Sequence, residues 1–358
     1  MAYLKKEPAS PTVDRLKYLK VLVVDDFVNF RRTVKGVLAG LGVANIVEAF
    51  DGESALMRMS ASKYDIVLCD YNLGPGKDGQ QVLEEAKYHK YITYMTIFMM
   101  VTAENSMDMV MGVVEHMPDD YLMKPFTKQV LEKKLLSVLE KKLALKEIVQ
   151  AIEGMDYDRA LWLCDEAIGK EAKHKSEILR IKGKKKKKKE DYGQAEAFYK
   201  EISAMGKMPW ALFGLGKCQY LLGRLDEAKE TFTQLIKIND KVMAAYDWLA
   251  KALEATGQPQ EAQSVLMKAA EISPRALGRQ RELGAIAGRN KDYDTAVDSY
   301  RRAIAYAKTS AFKTPADYTT LAKVLVEADS PEESLGVLGE AHQAFPKDLG
   351  AKVQIGLV

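Results

Sequence analysis

The stretch Ile66-Val67-Leu68-Cys69-Asp70 decides the reading of the first half of this chain: a short apolar strand that ends on a carboxylate. Three other segments share that form. Val21-Leu22-Val23-Val24 runs into the pair Asp25-Asp26, Ile97 to Val101 into Thr102, and Asp120 to Met123 into Lys124, just before Pro125. Each polar residue stands at the carboxyl end of its strand or just past it. In an open parallel sheet those ends converge on one crevice, where such folds bind ligands. Three carboxylates, a hydroxyl and an ammonium together suggest magnesium-dependent phosphorylation of an aspartate.

The surrounding pattern alternates strand and helix. Strands are expected at Lys20 to Val24, Ile46 to Ala49, Ile66 to Cys69, Thr96 to Val101 and Asp120 to Met123. Between them apolar residues recur at helical spacing, as in Val34, Val37, Leu38 and Leu41. Such alternation with short turns predicts a parallel sheet covered on both faces. A polar tail over residues 1–17 would precede this doubly wound α/β domain over 18–140. Leu131 to Ala151 contains no Gly or Pro, so its last helix is expected to run unbroken into the second half. A continuous helix couples two parts stiffly, where a Gly/Ser linker would not.

Residues 141–358 read as helix throughout and as an internal repeat. One register carries a small residue and, four residues later, a larger one. It reads Ala160-Cys164, Ala195-Tyr199, Ala228-Phe232, Ala262-Leu266, Ala296-Tyr300 and Ser334-Leu338, at intervals of 35, 33, 34, 34 and 38 residues. A helix-turn-helix unit of ~34 residues is the tetratricopeptide period. Twelve residues before the small residue come Gly183, Gly216, Ala250, Gly284 and Ala322, which would let paired helices cross closely. About six repeats in an all-α superhelix are expected, the first helix continuous with the last helix of the α/β domain.

Composition narrows the function classes. Its 53 basic and 50 acidic residues leave +3, no global field to draw nucleic acid. No apolar run reaches the ~20 residues that cross a bilayer, and Met1 to Pro11 has no signal core, so neither membrane insertion nor export is expected. Cys69, Cys164 and Cys218 are widely spaced, which fits a reducing cytoplasm rather than zinc or disulfides. Four histidines argue against a histidine-based metal or triad site.

With these residues in place, the first domain resembles the receiver domain of bacterial response regulators, a flavodoxin-like fold. The resemblance rests on Val23-Val24-Asp25-Asp26, Leu68 to Leu73, Val101-Thr102-Ala103-Glu104 and Asp119 to Phe126, in order. It implies Asp70 as the phosphoacceptor, receiving phosphate from a histidine kinase or phosphotransfer protein. Asp25, Asp26 and Asp70, with the backbone carbonyl of Asn72, would hold Mg²⁺, a hard ion suited to oxygen ligands. Lys124 would pair with one phosphoryl oxygen and Thr102 bond another. Thr102 and Tyr121 would form the switch, the threonine drawing in and the tyrosine filling its space. Shifting a 1:99 equilibrium takes about 5.5 kcal/mol, within reach of two or three charge-assisted hydrogen bonds at roughly 1.5–3 kcal/mol each. On the residues alone, Asp25 also reads as a solvated turn carboxylate, Thr102 as a helix cap and Tyr121 as a half-buried strand tyrosine. Two carboxylates ~4 Å apart repel by about 4 kcal/mol at an effective dielectric of 20, which favours a cation. Asp119-Asp120 precedes its strand, at the far edge of the sheet, and reads as structural. Two departures, His116-Met117-Pro118 and the lengthened Gly74-Pro75-Gly76 loop, alter surfaces that partners read.

The repeats suggest a groove for a protein or peptide, with Trp210, Phe213, Lys217, Tyr220, Asp247, Lys251, Arg281 and Lys323 as lining candidates. The three aromatics serve equally well as packing between units. Lys184 to Lys189 falls on a first helix, and reads as a frayed, solvated helix, as a flaw in the recorded sequence, or as a polyanion or membrane-surface patch. The expectation is therefore a cytoplasmic response regulator that signals through a protein-binding repeat domain, possible as a homodimer. It would catalyse at most its own phosphorylation and dephosphorylation. The alternative is a constitutive scaffold whose receiver does not switch.

Overall fold

Five short runs rich in β-branched and apolar residues pair edge to edge in the computed structural model, which describes residues 16–103, 117–169, 174–188, 192–206 and 208–346, without the side chains of 184–188. They are β1 (Lys20–Val24), β2 (Asn45–Ala49), β3 (Ile66–Asp70), β4 (Ile97–Ala103) and β5 (Asp120–Lys124). All pairings are parallel, in the order β2-β1-β3-β4-β5. The register sets Val24 beside Cys69, Asp70 beside Val101 and Ala103 beside Lys124. All four crevice strands thereby end at the same edge of the sheet, with β4 and β5 running two residues past the level of Asp70.

Alternate strand residues enter two cores, one on each face. Leu22, Val24, Val67, Cys69, Phe98 and Met100 belong to the first. Val21, Val23, Ile66, Leu68, Met99 and Leu122 belong to the second. Burial on both sides explains the near-continuous apolar strands. Helices α1 (Val28–Gly40), α2 (Gly52–Ala61) and α3 (Gly79–Tyr88) connect the first four strands. Asp51 and Asp78 open α2 and α3 with reciprocal capping boxes. Glu104 and His116 lie outside the described residues.

The described residues form two compact units, the first ending at Lys182 and the second beginning at Gly183. The first unit contains α4, an unbroken helix of 26 residues from Lys128 to Glu153. Leu131, Leu135, Val138 and Leu139 of α4 pack into the second sheet core. Further along, Leu145 and Ile148 join Cys164 of α5 (Tyr157–Gly169), Ile178 of α6 (Lys175–Lys188), and Tyr94 from the loop before β4. Between these contacts Lys142 is buried, 3% exposed. Its ammonium donates to the carbonyls of Tyr94 (2.5 Å) and Thr96 (2.8 Å) and pairs with Asp119 at 2.8 Å. Asp119 also accepts from the Phe98 amide at 2.8 Å, so its part is structural, as expected.

The second unit is a series of antiparallel helix pairs: α7 (Tyr192–Met205), α8 (Pro209–Leu221), α9 (Leu225–Ile238), α10 (Met243–Ala255), α11 (Pro259–Ile272), α12 (Leu277–Arg289), α13 (Tyr293–Ala307), α14 (Pro315–Glu327) and α15 (Pro331–Ala344). The small residues of the repeat register, Ala195, Ala228, Ala262, Ala296 and Ser334, are all buried. Ser334 keeps its hydroxyl satisfied by donating to the Ala322 carbonyl at 2.9 Å. Where the first helix carries glycine, the larger residue opposite is aromatic. A Cβ built on Gly183 would lie 2.6 Å from Tyr199, and one on Gly284 would lie 2.8 Å from Tyr300. Where it carries alanine, the partner is leucine, as in Ala250 with Leu266 and Ala322 with Leu338. Among the described residues no helix is long and apolar enough to cross a membrane.

Candidate functional site

Asp25 follows β1, Asp70 ends β3 and Lys124 ends β5, and the three meet over the sheet edge. The Lys124 ammonium donates to Asp25 Oδ2 at 2.6 Å and to Asp70 Oδ2 at 2.8 Å. Asp25 is 1% exposed and Asp70 6% exposed, while Asp26 is open to solvent. One carboxylate oxygen from each of Asp25, Asp26 and Asp70 falls within a group spanning no more than 4.8 Å. An all-oxygen donor set of that size, with one member open to water, fits Mg²⁺. Asn72 and Gly74 line the same crevice.

The loop is held from several sides. Asp25 Oδ1 accepts from the Phe27 amide at 2.9 Å, turning the chain into α1. The Arg31 guanidinium donates to the carbonyls of Asp25 (2.7 Å) and Asp26 (3.2 Å) and also pairs with Glu48. Behind Asp70, the Gly79 amide donates to the Tyr71 carbonyl at 2.8 Å. A Cβ on Gly79 would stand 2.1 Å from the Asp70 carbonyl oxygen, so only glycine permits this approach.

Burial pushes the Asp70 carboxyl up to about 6, with Asp25 and Asp26 adding to the effect and Lys124 opposing it. Burial alone would depress Lys124, but its bonds to Asp25 and Asp70 outweigh that and hold it above the ordinary lysine range. A carboxylate crowded by two others is the setting a divalent cation relieves.

Of the two switch candidates, Thr102 is buried and Tyr121 half-buried. Thr102 is 1% exposed and its hydroxyl donates to the Ala103 carbonyl at 3.1 Å. Tyr121 packs on the first sheet core. Its hydroxyl is buried without a hydrogen-bond partner among the described residues, and burial raises it to about 12. Missed in the sequence were Phe30, Arg31 and Gly79. Their nearest signal was position, in the first turn of the helix after Asp25-Asp26 or at the start of the helix after the Asp70 loop.

In the repeats, Trp210 meets Tyr199, Phe213 meets Phe232 and Tyr220 meets Trp248 as ring pairs. Asp247 pairs with Arg279 at 2.7 Å, and Arg281 makes two bonds of 2.7 Å to Asp317. Lys217 and Lys251 lie over the Trp248 ring, at 4.2 and 5.4 Å from its centroid. Lys323 is exposed. Six of the eight lining candidates are thus engaged between helices, and Trp248 joins them unforeseen. The side chains of Lys184 to Lys189 lie outside the described residues.

With this geometry in view, residues 21–136 match the response regulator receiver domain family, and residues 188–247 and 244–275 match tetratricopeptide repeat families. The chemotaxis protein CheY of Pseudomonas aeruginosa is 34% identical over 123 residues, covering 98% of that protein and 34% of this chain. CheY-3 of Vibrio cholerae is 34% identical over 125 residues, covering 95% of that protein and 35% of this chain. The chain belongs to the response regulator receiver family, and it carries tetratricopeptide repeats beyond the receiver. Solved structures similar to it include the MamA protein (21% identity, TM-score 0.42, 48% of this chain and 91% of that one). Another is YrrB, described as a tetratricopeptide protein with an unusual peptide-binding site (16% identity, TM-score 0.40, 49% and 88%).

Proposed function

We propose that this chain is a two-component response regulator, phosphorylated on Asp70 by a histidine kinase or phosphotransfer protein, and that its repeats hold a protein partner in the cytoplasm. The observation that carries this reading is the Lys124 ammonium bridging Asp25 and Asp70 beside a third carboxylate. An Asp70 oxygen attacks phosphorus, the bond to the donor's leaving group breaks, and an acyl phosphate forms on the side chain. Positioning and charge neutralisation do most of the work in such transfers. Asp25, Asp26, Asp70 and the Asn72 carbonyl are the groups proposed to hold Mg²⁺, which when bound neutralises the crevice and the incoming phosphate. Lys124 trades its bond to Asp70 for one to a phosphoryl oxygen. Thr102 turns its hydroxyl from Ala103 toward the phosphoryl group, and Tyr121 reports that movement. Functional boundaries are proposed at 1–17, 18–140 and 141–358.

The test is incubation of the full chain with Mg²⁺ and acetyl phosphate, read by intact and peptide mass spectrometry. One phosphoryl group on the peptide bearing Asp70, absent without Mg²⁺ and absent in Asp70→Asn, supports the reading. An unmodified Asp70 under those conditions overturns it.

A further inference from the structure

The Lys124 ammonium has three N–H groups, and two of them are spent on Asp25 and Asp70. The rest of the ammonium faces an aromatic ring. Phe30 lies with its centroid 4.1 Å from Lys124 Nζ. A cation within about 6 Å of a ring face is attracted by the ring's quadrupole, more strongly where water is excluded. Here the lysine side chain is only 19% exposed.

Phe30 is itself firmly set. Phe126, two residues after Lys124, meets it edge to face at 5.8 Å and 87°. Both rings pack against the second sheet core. The first turn of α1, which carries Phe30, is tied to the acidic loop through Arg31 and the carbonyls of Asp25 and Asp26. The ring also lines the crevice together with Asp26, Asp70 and Asn72.

We infer that Phe30 is a positioning residue for phosphorylation of Asp70, its ring face keeping the Lys124 ammonium in the crevice while that ammonium exchanges one acceptor for another. This rests on the reading of Asp70 as phosphoacceptor. During transfer an Asp70 oxygen forms a bond to phosphorus, the donor's P–O bond breaks, and acetate departs with the electron pair when acetyl phosphate is the donor. The Asp70 carboxylate thereby loses its negative charge and its hold on Lys124, and a new anion arrives beside it. A third oxygen in place of the ring would compete with the phosphate for the ammonium. A π face has no directional bond to break, so the cation swings between oxygens without leaving.

The experiment places phenylalanine carrying one, two and three ring fluorines at position 30 of the full chain, which weakens the face potential with little change of shape. Initial rates of phosphorylation by acetyl phosphate at fixed Mg²⁺ are then compared. The expected result is a stepwise fall of about tenfold across the series, the range a partly buried cation–π contact spans. Phe30→Leu should fall at the slow end and Phe30→Trp near the unaltered protein. A second reading needs no donor: the ring current of Phe30 should shift the Lys124 ε-methylene protons upfield in the unphosphorylated protein, and Phe30→Leu should abolish that shift. A flat rate across the fluorinated series, with Phe30→Leu still slow, would mean the ring only fills space and overturns the inference while leaving Asp70 as phosphoacceptor. Absence of any label in the unaltered protein removes both. An unshifted Lys124 overturns the positioning role alone.

Discussion

Gly216 of α8 and Phe232 of α9 approach so closely that a single methyl on the glycine would stand 2.8 Å from the ring. Gly216→Ala should therefore destabilise the repeats by about 1–3 kcal/mol, the usual cost of overpacking. Adding Phe232→Leu, which recreates the Ala250–Leu266 combination two helices on, should recover part of that loss. Urea unfolding of the two single variants and the double variant forms the cycle that tests it. Strictly additive losses would show that the two positions do not share one packing site.

Lys124 neutralises two acidic groups that are also the proposed metal ligands. Removing a cation from beside a cation site favours the metal, so Lys124→Met should bind Mg²⁺ about tenfold more tightly, equivalent to roughly 1.4 kcal/mol. It should also accept phosphate roughly a hundredfold more slowly, for want of an electrostatic partner to the transferred group. Titration calorimetry and acetyl phosphate kinetics measure the two effects. Unchanged or weaker Mg²⁺ binding in Lys124→Met would show that the ammonium does not oppose the metal.

The Asp70 carboxyl, raised to about 6 from 3.8 chiefly by burial, sets a pH window. Between those values the folded protein without metal holds a proton that the unfolded chain has lost. Its stability therefore falls as pH rises through that interval. Mg²⁺ competes with that proton, so its apparent affinity should climb from pH 5 to pH 6 and level off above about pH 7. Asp70→Asn should flatten both profiles. Thermal unfolding and calorimetry at matched ionic strength supply the measurements, and an unchanged slope in Asp70→Asn would assign the titration to another group.

Lys142 is buried while its partner Asp119 keeps contact with solvent, 23% exposed. Breaking a buried pair from the acidic side leaves an unbalanced charge inside, at a cost of about 3–5 kcal/mol. Asp119→Ala should fall in that range, and it also loses the bond to the Phe98 amide. Lys142→Met should cost clearly less, because methionine fits the stem and Asp119 retains the amide and water. Equal losses, measured by chemical denaturation, would mean the ion pair is incidental.

The crevice was legible because each of its groups terminates an apolar run, so strand order alone brings Asp25, Asp70, Thr102 and Lys124 to one edge. The repeat was legible for a related reason: small and large residues recur at one period, and the structure pairs them as Gly with aromatic and Ala with Leu. Phe30 was not legible, since a phenylalanine in the first turn of an amphipathic helix reads as ordinary core. Gly79 reads as a loop glycine until the Asp70 carbonyl is seen against it. Lys142 stands among many lysines on α4, and nothing in their spacing marks the one that turns inward. Asp247 and Arg281 looked like lining residues because register fixes the side of the helix and leaves open the acidic or basic partner across the next repeat.

Helix α4 has a consequence of its own, since it serves two hydrophobic centres with one uninterrupted backbone. Leu131 to Leu139 and Leu145 to Ile148 must each point correctly, which makes rotational phase a property of the sequence between them. One residue inserted there turns everything downstream by about 100°, whereas seven residues return it to within ~20°. An insertion that keeps both centres packed must therefore come close to a whole number of helical turns, as seven, eleven or eighteen residues do.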